Sequence, residues 1–185
     1  ITLAYETGFK DLSIDLIYGT PNLTNEEWIT NIKTAIAYKV NHISAYALTV
    51  EPKTALDYQI KKGTSLPVKD EQMAEQFEIL VSTLQAHGYE QYEISNFSLP
   101  NHRAQHNTNY WKGKHYLGLG PGAHSFNGVS RSYNISNNAL YIQAIKQGDL
   151  PRETEILSFE DRWNEYIMTS LRTVWGSEAA HITTV

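Results

Sequence analysis

The chain has 185 residues, of which 41% are hydrophobic and 19% charged, a composition typical of a folded domain with a sizeable core. Its net charge of −5 argues against nucleic-acid binding, and it has neither an apolar run of the roughly 20 residues that span a bilayer nor a signal peptide, so we expect a cytoplasmic location. Because it contains no cysteine, its own side chains cannot form a disulfide, a thiolate metal site or an iron–sulfur cluster.

The amino-terminal third alternates between helix and strand patterns. Residues 1–9 are typical of the end of an amphipathic helix, and residues 12–19 form an apolar run that predicts a strand buried on both faces. Thr24 and Glu27 have the spacing of a capping box, which predicts the start of a helix. The apolar face of this helix consists of Trp28, Ile32, Ala35 and Ile36.

The rest of the chain continues the alternation and then becomes helical. Further strands are predicted at 42–50, 89–97 and 116–125, a polar loop at about 53–68, and helices at about 70–87, 137–147 and 159–174. Ser158 and Asp161 have the spacing to cap the last helix. Strands and helices in strict alternation predict parallel βαβ units, in a barrel or a doubly wound sheet.

Polar residues stand at the ends of the predicted strands, where ligands collect in such folds. They are Asp15, Gly19, Thr49, Glu51, Glu93, Ser95, Asn96, His124 and Ser125. Strand alternation predicts that Glu93 and Ser95 share a face and that Asn96 points away. Asp15 stands among apolar neighbours and must be paired, either with a structural partner or with hydroxyl or amino groups of a ligand. Glu93 is a candidate for acid–base work, and a structural hydrogen bond explains it equally well.

The segment from His106 to Phe126 carries two further signals. Gly118, Gly120 and Gly122 alternate, which indicates close approach by a ligand or by another backbone, or else a bulge around Pro121. The preceding HNTNYW (106–111) offers an imidazole for iron or for a porphyrin carboxylate and flat aromatic surface for a macrocycle. The chemistry alone favours a loop-stabilising and core-filling role instead. Among His102, His115 and His124, no two have the spacing of a helical zinc pair, which argues against a zinc site.

Five segments resemble one protein family, and the resemblance extends from residue 1 to about residue 176. They are SIDLIYGTPNLTNEEW (13–28), HISAYALTVEPKT (42–54), GYEQYEISNF (88–97), HNTNYW (106–111) and YLGLGPGAHS (116–125). In order and spacing they are similar to the oxygen-independent coproporphyrinogen III oxidase-like radical SAM proteins. The HNxxYW element resembles the HemW branch of that family, the heme chaperones.

The resemblance implies an α/β fold, namely the carboxyl-terminal part of a TIM-like radical SAM barrel followed by helices of a carboxyl-terminal domain. We expect the barrel portion at 1–135 and the start of the helical domain at 136–185. In the family, a CxxxCxxC motif in the amino-terminal half holds a 4Fe–4S cluster that binds S-adenosyl-L-methionine (SAM). This chain has no cysteine, so we expect no metal ligands in it and no activity from it alone.

Individual residues match positions with roles in the family. The resemblance implies that Asp15, Thr49 and His124 contact SAM, with the glycines before His124 allowing close approach of the adenosine. It implies that the HNxxYW residues contact heme or a porphyrin. These are His106, Asn107, Tyr110 and Trp111.

Two functions remain open on this basis. One is a heme chaperone that delivers heme to respiratory proteins, which HNTNYW favours. The other is an oxidase that decarboxylates coproporphyrinogen III by SAM-derived radical chemistry. A third hypothesis is that the piece folds without either function, with open sheet edges and apolar surface that favour self-association.

Overall fold

The computed structural model describes residues 1–182, which divide into two compact units at Ala104 and Gln105. The first unit ends at residue 104, and the second begins at 105. The last three residues of the predicted second domain lie outside the described residues. The domain boundary predicted after residue 135 is the end of the family's barrel, which differs in kind from this division into compact units. It stays a prediction.

A four-stranded sheet covered by helices forms the first unit. Its helices are α1 (Thr2–Glu6), α2 (Asn25–Ala37), α3 (Ala55–Lys61) and α4 (Asp70–Ala86). Its strands are β1 (Ser13–Tyr18), β2 (His42–Ala47), β3 (Glu90–Glu93) and β4 (Asn96–Ser98), in the spatial order β1-β2-β4-β3. β1 and β2 pair in parallel, as expected for a βαβ unit, whereas β4 is antiparallel to both β2 and β3.

The single strand predicted at 89–97 is wrong, because the segment folds back on itself as a hairpin. A turn at Ile94 and Ser95 separates β3 from β4, and the register shifts between Gln91 and Glu93. The predicted loop at 53–68 is also partly wrong, since it contains α3. Thr54 caps that helix by accepting a hydrogen bond from the backbone N–H of Asp57.

The hydrophobic core lies between one face of the sheet and the helices α2 and α4. The capping box at Thr24 is confirmed, and the predicted apolar face of α2 is buried, with Trp28 and Ile32 fully inaccessible. Burial of each such side chain stabilises the fold by roughly 2–3 kcal/mol. The opposite face of the sheet carries polar side chains, of which His42, Ser44 and Asn96 are buried.

Gln76 on α4 ties the β1–α2 connection to the core. Its side-chain Oε1 accepts a hydrogen bond from Gly19 N at 2.7 Å, and its Nε2 donates to Leu23 O at 2.9 Å. The Trp28 indole donates to the backbone carbonyl of Gln76 at 2.9 Å. The Gln76 side chain is fully buried, so no water can replace these partners.

We expect Gln76→Ala to lower the free energy of unfolding by about 2–5 kcal/mol, because it leaves a cavity and the buried N–H of Gly19 without a partner. The Leu23 carbonyl keeps a hydrogen bond from Gln72 Nε2 at 2.8 Å. Urea denaturation of the intact protein measures the change. Gln85→Ala on the exposed side of the same helix is the control and should shift stability by less than about 0.5 kcal/mol. Equal unfolding midpoints for the two variants would contradict the assigned role.

The second unit combines a three-stranded antiparallel sheet with helices. Its helices are α5 (Gln105–Trp111), α6 (Asn138–Lys146), α7 (Phe159–Leu171) and α8 (Ala179–Ile182). Its strands are β5 (His124–Phe126), β6 (Ser130–Asn134) and β7 (Arg152–Ile156), in the order β5-β6-β7. The helices predicted near 137–147 and 159–174 are confirmed as α6 and α7, as is the Ser158 capping box. No helix within the described residues is long and apolar enough to cross a membrane.

The strand predicted at 116–125 is wrong over most of its length. Tyr116 forms an isolated bridge to Phe126, and regular pairing begins only at His124. Gly120 and Gly122 have φ values of +101° and +70°, which lie outside the strand region. The glycines therefore form a folded loop that begins after Tyr116 and ends before β5.

Candidate functional site

The face of the first unit's sheet opposite to α2 and α4 carries a row of polar side chains, most of which are buried. Ser13 and Asp15 alternate on β1 with the core residues, and their register partners on β2 are His42 and Ser44. The hairpin adds polar groups to the same face. We call this surface the polar face; its members are Ser13, Asp15, His42, Ser44, Tyr92, Glu93, Asn96 and Ser98.

One hydrogen-bonded chain on the polar face runs through His42. Its Nδ1 lies 2.7 Å from Ser13 Oγ, and its Nε2 lies 2.7 Å from the Tyr92 hydroxyl. Burial lowers the pKa of His42, and the nearby charge of Asp15 acts in the opposite direction. Burial raises the pKa of Tyr92 to about 12. At neutral pH both side chains are therefore uncharged.

A second hydrogen-bonded chain begins beside Asp15. Ser44 Oγ donates to Asn96 Oδ1 at 3.1 Å, and Asn96 Nδ2 donates to Glu93 Oε2 at 2.6 Å. The backbone N–H of Ser95 donates to the same carboxylate oxygen at 3.0 Å. The prediction that Asn96 points away from Glu93 is wrong, because the turn between β3 and β4 breaks strand alternation. The buried Ser98 hydroxyl has no partner among the described residues.

Asp15 differs from the buried, paired acid that its apolar flanks predict. Its side chain is exposed, and among the described residues its carboxylate accepts no hydrogen bond. The alternative of a structural partner is therefore wrong, because only alternate residues of β1 face the core. The Asp15 carboxylate can thus accept hydrogen bonds from a ligand. Its register partner on β2 is Ser44.

Thr49 follows the carboxyl end of β2 in the same unit. It is exposed, and the preceding Leu48 donates its backbone N–H to the carbonyl of Tyr18 at 2.9 Å. This bond keeps the segment beside the end of β1. Thr49 therefore lies at the carboxyl edge of the parallel pair, where ligands collect in βαβ folds.

The HNTNYW residues form the short helix α5 of the second unit. His106 and Tyr110 are exposed, and their rings meet edge to face with centroids 4.8 Å apart. Tyr110 in turn meets Tyr116 at 4.7 Å. The result is an accessible imidazole at the end of an aromatic row.

Asn107 and Trp111 lie one position further around α5. Both are half-buried, and the Arg172 guanidinium stands 5.1 Å from the Trp111 ring. The helix therefore brings His106 and Tyr110 together on its exposed side, with Asn107 and Trp111 on the adjacent, partly covered side.

His124 is the first residue of β5, so the prediction that it lies at the end of a strand is wrong. Its exposed ring packs 5.7 Å from that of Tyr133, beside a cleft of about 490 Å³ that also contacts Arg152 and Glu153. Tyr133 donates a hydrogen bond to Glu153 Oε2 at 2.9 Å, which raises the pKa of the phenol. The sequence contains no motif that would have indicated this cleft.

Gly118 approaches the backbone of this same strand. A Cβ at Gly118 would clash with the carbonyl oxygen of His124, and Gly118 N donates to Ser125 Oγ at 2.9 Å. Asn134 Nδ2 holds the loop by donating to Gly120 O at 2.8 Å. Of the alternatives for this glycine, close approach of another backbone is the one observed.

No group of three or more histidine, aspartate or glutamate side chains within residues 1–182 is arranged to hold a metal ion.

No protein-family model matches the chain. It is 37% identical to the heme chaperone HemW of Bacillus subtilis over 94% of its own length and 46% of that protein, and 36% identical to the Mycobacterium tuberculosis HemW over 81% and 38%. It is 38% identical to the mouse mitochondrial radical S-adenosyl methionine domain-containing protein 1, over 61% and 26%.

A solved structure has the same fold. The chain superposes on the Escherichia coli coproporphyrinogen III oxidase (HemN), a radical SAM enzyme, with a TM-score of 0.74 over 93% of the chain and 42% of the enzyme. Sequence identity in this comparison is 23%, so the likeness is one of fold. The chain spans less than half the length of the HemW relatives cited above.

Proposed function

The chain is a HemW-like radical SAM sequence, and from this premise we propose that it contributes part of the SAM site and part of the heme site of a heme chaperone. The motif resemblance and the α/β fold of the radical SAM kind are thereby confirmed. The observation that supports the chaperone function is that relatives at 36–37% identity carry the name heme chaperone.

SAM is proposed to bind at the polar face through Asp15. SAM presents ribose hydroxyls and an ammonium group, which are hydrogen-bond donors, and the open carboxylate of Asp15 is an acceptor of matching charge. The neutral Ser44 on the adjacent strand leaves that charge uncompensated within the sheet. Thr49 and His124 are proposed as further SAM contacts, each within its own unit.

Heme is proposed to contact the exposed side of α5. The accessible His106 imidazole can ligate iron or donate to a propionate, and the ring of Tyr110 offers flat apolar surface beside it. Asn107 and Trp111 are proposed to contact the rim of the macrocycle. A metal-free porphyrin offers the same propionates and flat surface as heme but no iron for His106 to ligate.

A 4Fe–4S cluster is the group on which radical SAM chemistry depends, and it requires thiolate ligands. No residue of this chain supplies a thiolate. The residues present therefore do not fit the cluster, and we assign them only roles in ligand binding.

The partners follow from the same proposal. We propose that the heme is passed to respiratory proteins in the cytoplasm, and that the piece alone associates with itself through apolar side chains such as Leu119 and Ile156, which are 82% and 75% exposed. The barrel portion is proposed to extend to residue 135, with a helical domain from 136.

The oxidase is the second candidate, supported by the fold shared with HemN. In that case the exposed side of α5 would contact a porphyrinogen instead of heme. A fold is compatible with more than one reaction, and the likeness at 23% identity does not favour one chemistry over the other.

Titration of the intact protein with heme, followed by absorbance, tests the proposal. We expect a saturable complex with a Soret band that differs from that of free heme, together with SAM binding measured by calorimetry in the absence of reductant. If the protein binds SAM but shows no saturable heme complex, the chaperone proposal is wrong.

A further inference from the structure

The cleft beside His124 lies at one end of the second unit's sheet, where β5 and β7 begin and β6 ends. We propose that this cleft holds the adenine ring of SAM, with Tyr133 as a stacking residue and Glu153 as the residue that recognises the exocyclic amino group. The inference rests on the proposed contact between His124 and SAM. At about 490 Å³, the cleft lies within the range of roughly 300–1,000 Å³ for small-molecule sites.

Three side chains of the cleft form a row across the strands. The register pairs His124 with Tyr133 and Tyr133 with Glu153, so the three side chains lie on one face of the sheet. The centroids of the His124 and Tyr133 rings are 5.7 Å apart, with an angle of 36° between the ring planes. His124 is exposed, and Tyr133 is 37% exposed. The row therefore offers aromatic surface on which a flat heterocycle can stack.

Glu153 adds a hydrogen-bond acceptor to this row. Its Oε2 accepts a hydrogen bond from the Tyr133 hydroxyl at 2.9 Å, and this carboxylate raises the pKa of the phenol. The phenol therefore keeps its proton at neutral pH and holds the carboxylate in place. The second oxygen, Oε1, accepts no hydrogen bond from the residues that the structure describes.

The neighbouring cation does not occupy that oxygen. Arg152 also lines the cleft and is exposed, but within the described part of the chain it forms no ion pair. Adjacent residues of a strand point to opposite faces, which separates the Arg152 guanidinium from the Glu153 carboxylate. The Oε1 atom is consequently left for a ligand that carries a donor.

The position of Glu153 indicates which ligand group it binds. Because it binds the hydroxyl at the edge of the Tyr133 ring, it also lies at the edge of a heterocycle that stacks on that ring. Adenine carries its amino group at the ring edge, and an amino group donates whereas an ionised carboxylate only accepts. A carbonyl oxygen in the same place, as in hypoxanthine, would be repelled by the carboxylate.

Heme fits these groups less well than adenine does. Its macrocycle is flat, but its ionised propionates are acceptors and offer no donor to Glu153. Their negative charge would also be repelled by the carboxylate. The pairing of an aromatic row with an open acceptor therefore favours SAM as the ligand of the cleft.

The selectivity for adenine tests the role of Glu153. Calorimetry on the intact, cluster-reconstituted protein compares SAM with its inosine analogue, in which a carbonyl oxygen replaces the adenine amino group. The unmodified protein should bind SAM at least about tenfold more tightly, the effect of a hydrogen bond to a charged group. Glu153→Gln should bind the two ligands about equally, because an amide can accept from the amino group and donate to the carbonyl.

Glu155→Gln is the matched control for this variant. Glu155 is an exposed acid on the same strand and the same face, two residues beyond Glu153, and it does not line the cleft. The control should keep the preference for SAM. A merely structural role of Glu153 would weaken both ligands alike and leave their ratio unchanged.

Substitution of Tyr133 tests the stacking contact separately. Tyr133→Ala should weaken SAM binding at least about fivefold, the lower limit for loss of a base–aromatic stack. Tyr133→Phe should lose less affinity, because it keeps the ring. Equal losses in the two variants, or no loss in Tyr133→Ala, would show that the ring does not contact adenine.

The outcomes separate this inference from the proposed function. If the protein binds SAM but Glu153→Gln keeps the preference over the inosine analogue, the inference is wrong and the proposed SAM binding stands. If the intact protein binds no SAM, the proposed function fails with it. Weaker heme binding and unaltered SAM binding in Glu153→Gln would assign the cleft to the porphyrin and overturn the inference. Should Tyr133→Ala fail to fold, the comparison of Glu153→Gln with Glu155→Gln still decides.

Discussion

Asp15→Asn in the intact protein should weaken SAM binding by about 10- to 100-fold. The substitution keeps the shape of the side chain and removes its charge, and a hydrogen bond to a charged group contributes about 1.5–3 kcal/mol. Each 1.4 kcal/mol corresponds to a factor of ten in affinity. The effect should be large because Asp15 is an open acceptor with no cation paired to it among the described residues.

Calorimetry under anaerobic conditions measures this change. Glu78→Gln is the matched control, because it also converts an exposed acid to its amide, and it lies on α4, which covers the opposite face of the sheet. We expect the control to bind SAM like the unmodified protein. An equal affinity for both variants would show that the polar face does not hold SAM.

His106→Ala should weaken heme binding at least about tenfold. The exposed imidazole is the only side chain of HNTNYW that ligates iron readily, and removal of even an indirect partner of a metal ligand typically costs 10- to 100-fold in affinity. The substitution should leave folding intact, since His106 is exposed and contacts Tyr110 only at the edge of its ring.

Absorbance titration with heme measures the loss. His87→Ala, which removes an exposed imidazole from the end of α4 in the first unit, is the control for nonspecific ligation and should bind heme normally. If the two variants bind heme equally well, α5 is not the heme surface. The interpretation of HNTNYW as a loop-stabilising element would then stand.

Local signals predicted several helices correctly. The capping boxes at Thr24 and Ser158 formed as the spacing indicated, since a cap depends on residues three positions apart. The apolar face of α2 was also buried as expected. Such features need no knowledge of the rest of the fold, which is why sequence alone suffices for them.

Strand pairing was predictable only in part. β6 and β7, with the sequences SRSYN and RETEI, contain few apolar residues and have no strand pattern. β6 pairs with both β5 and β7, and no single segment indicates this pairing. The hairpin between β3 and β4 was missed for a related reason, because Ile94 and Ser95 carry no glycine or proline to mark the turn.

Of the residues in the candidate site, too, only some could be predicted from the sequence. Asp15 was identified from its unusual place in an apolar strand, but its exposure depends on which face the helices cover. Ser13 and Tyr92 could not be identified, because 79 residues separate them along the chain and His42 joins them only in the folded sheet. The glycine run predicted a close approach but not that the His124 backbone makes it.

The most direct test of the chaperone proposal is the reaction of the intact protein with coproporphyrinogen III. The protein is reconstituted anaerobically with iron and sulfide, incubated with SAM and a reductant, and the products are separated by mass. We expect no doubly decarboxylated product from protein that binds both SAM and heme. Several turnovers of that product would contradict the proposal and assign the protein to heme synthesis as an oxidase.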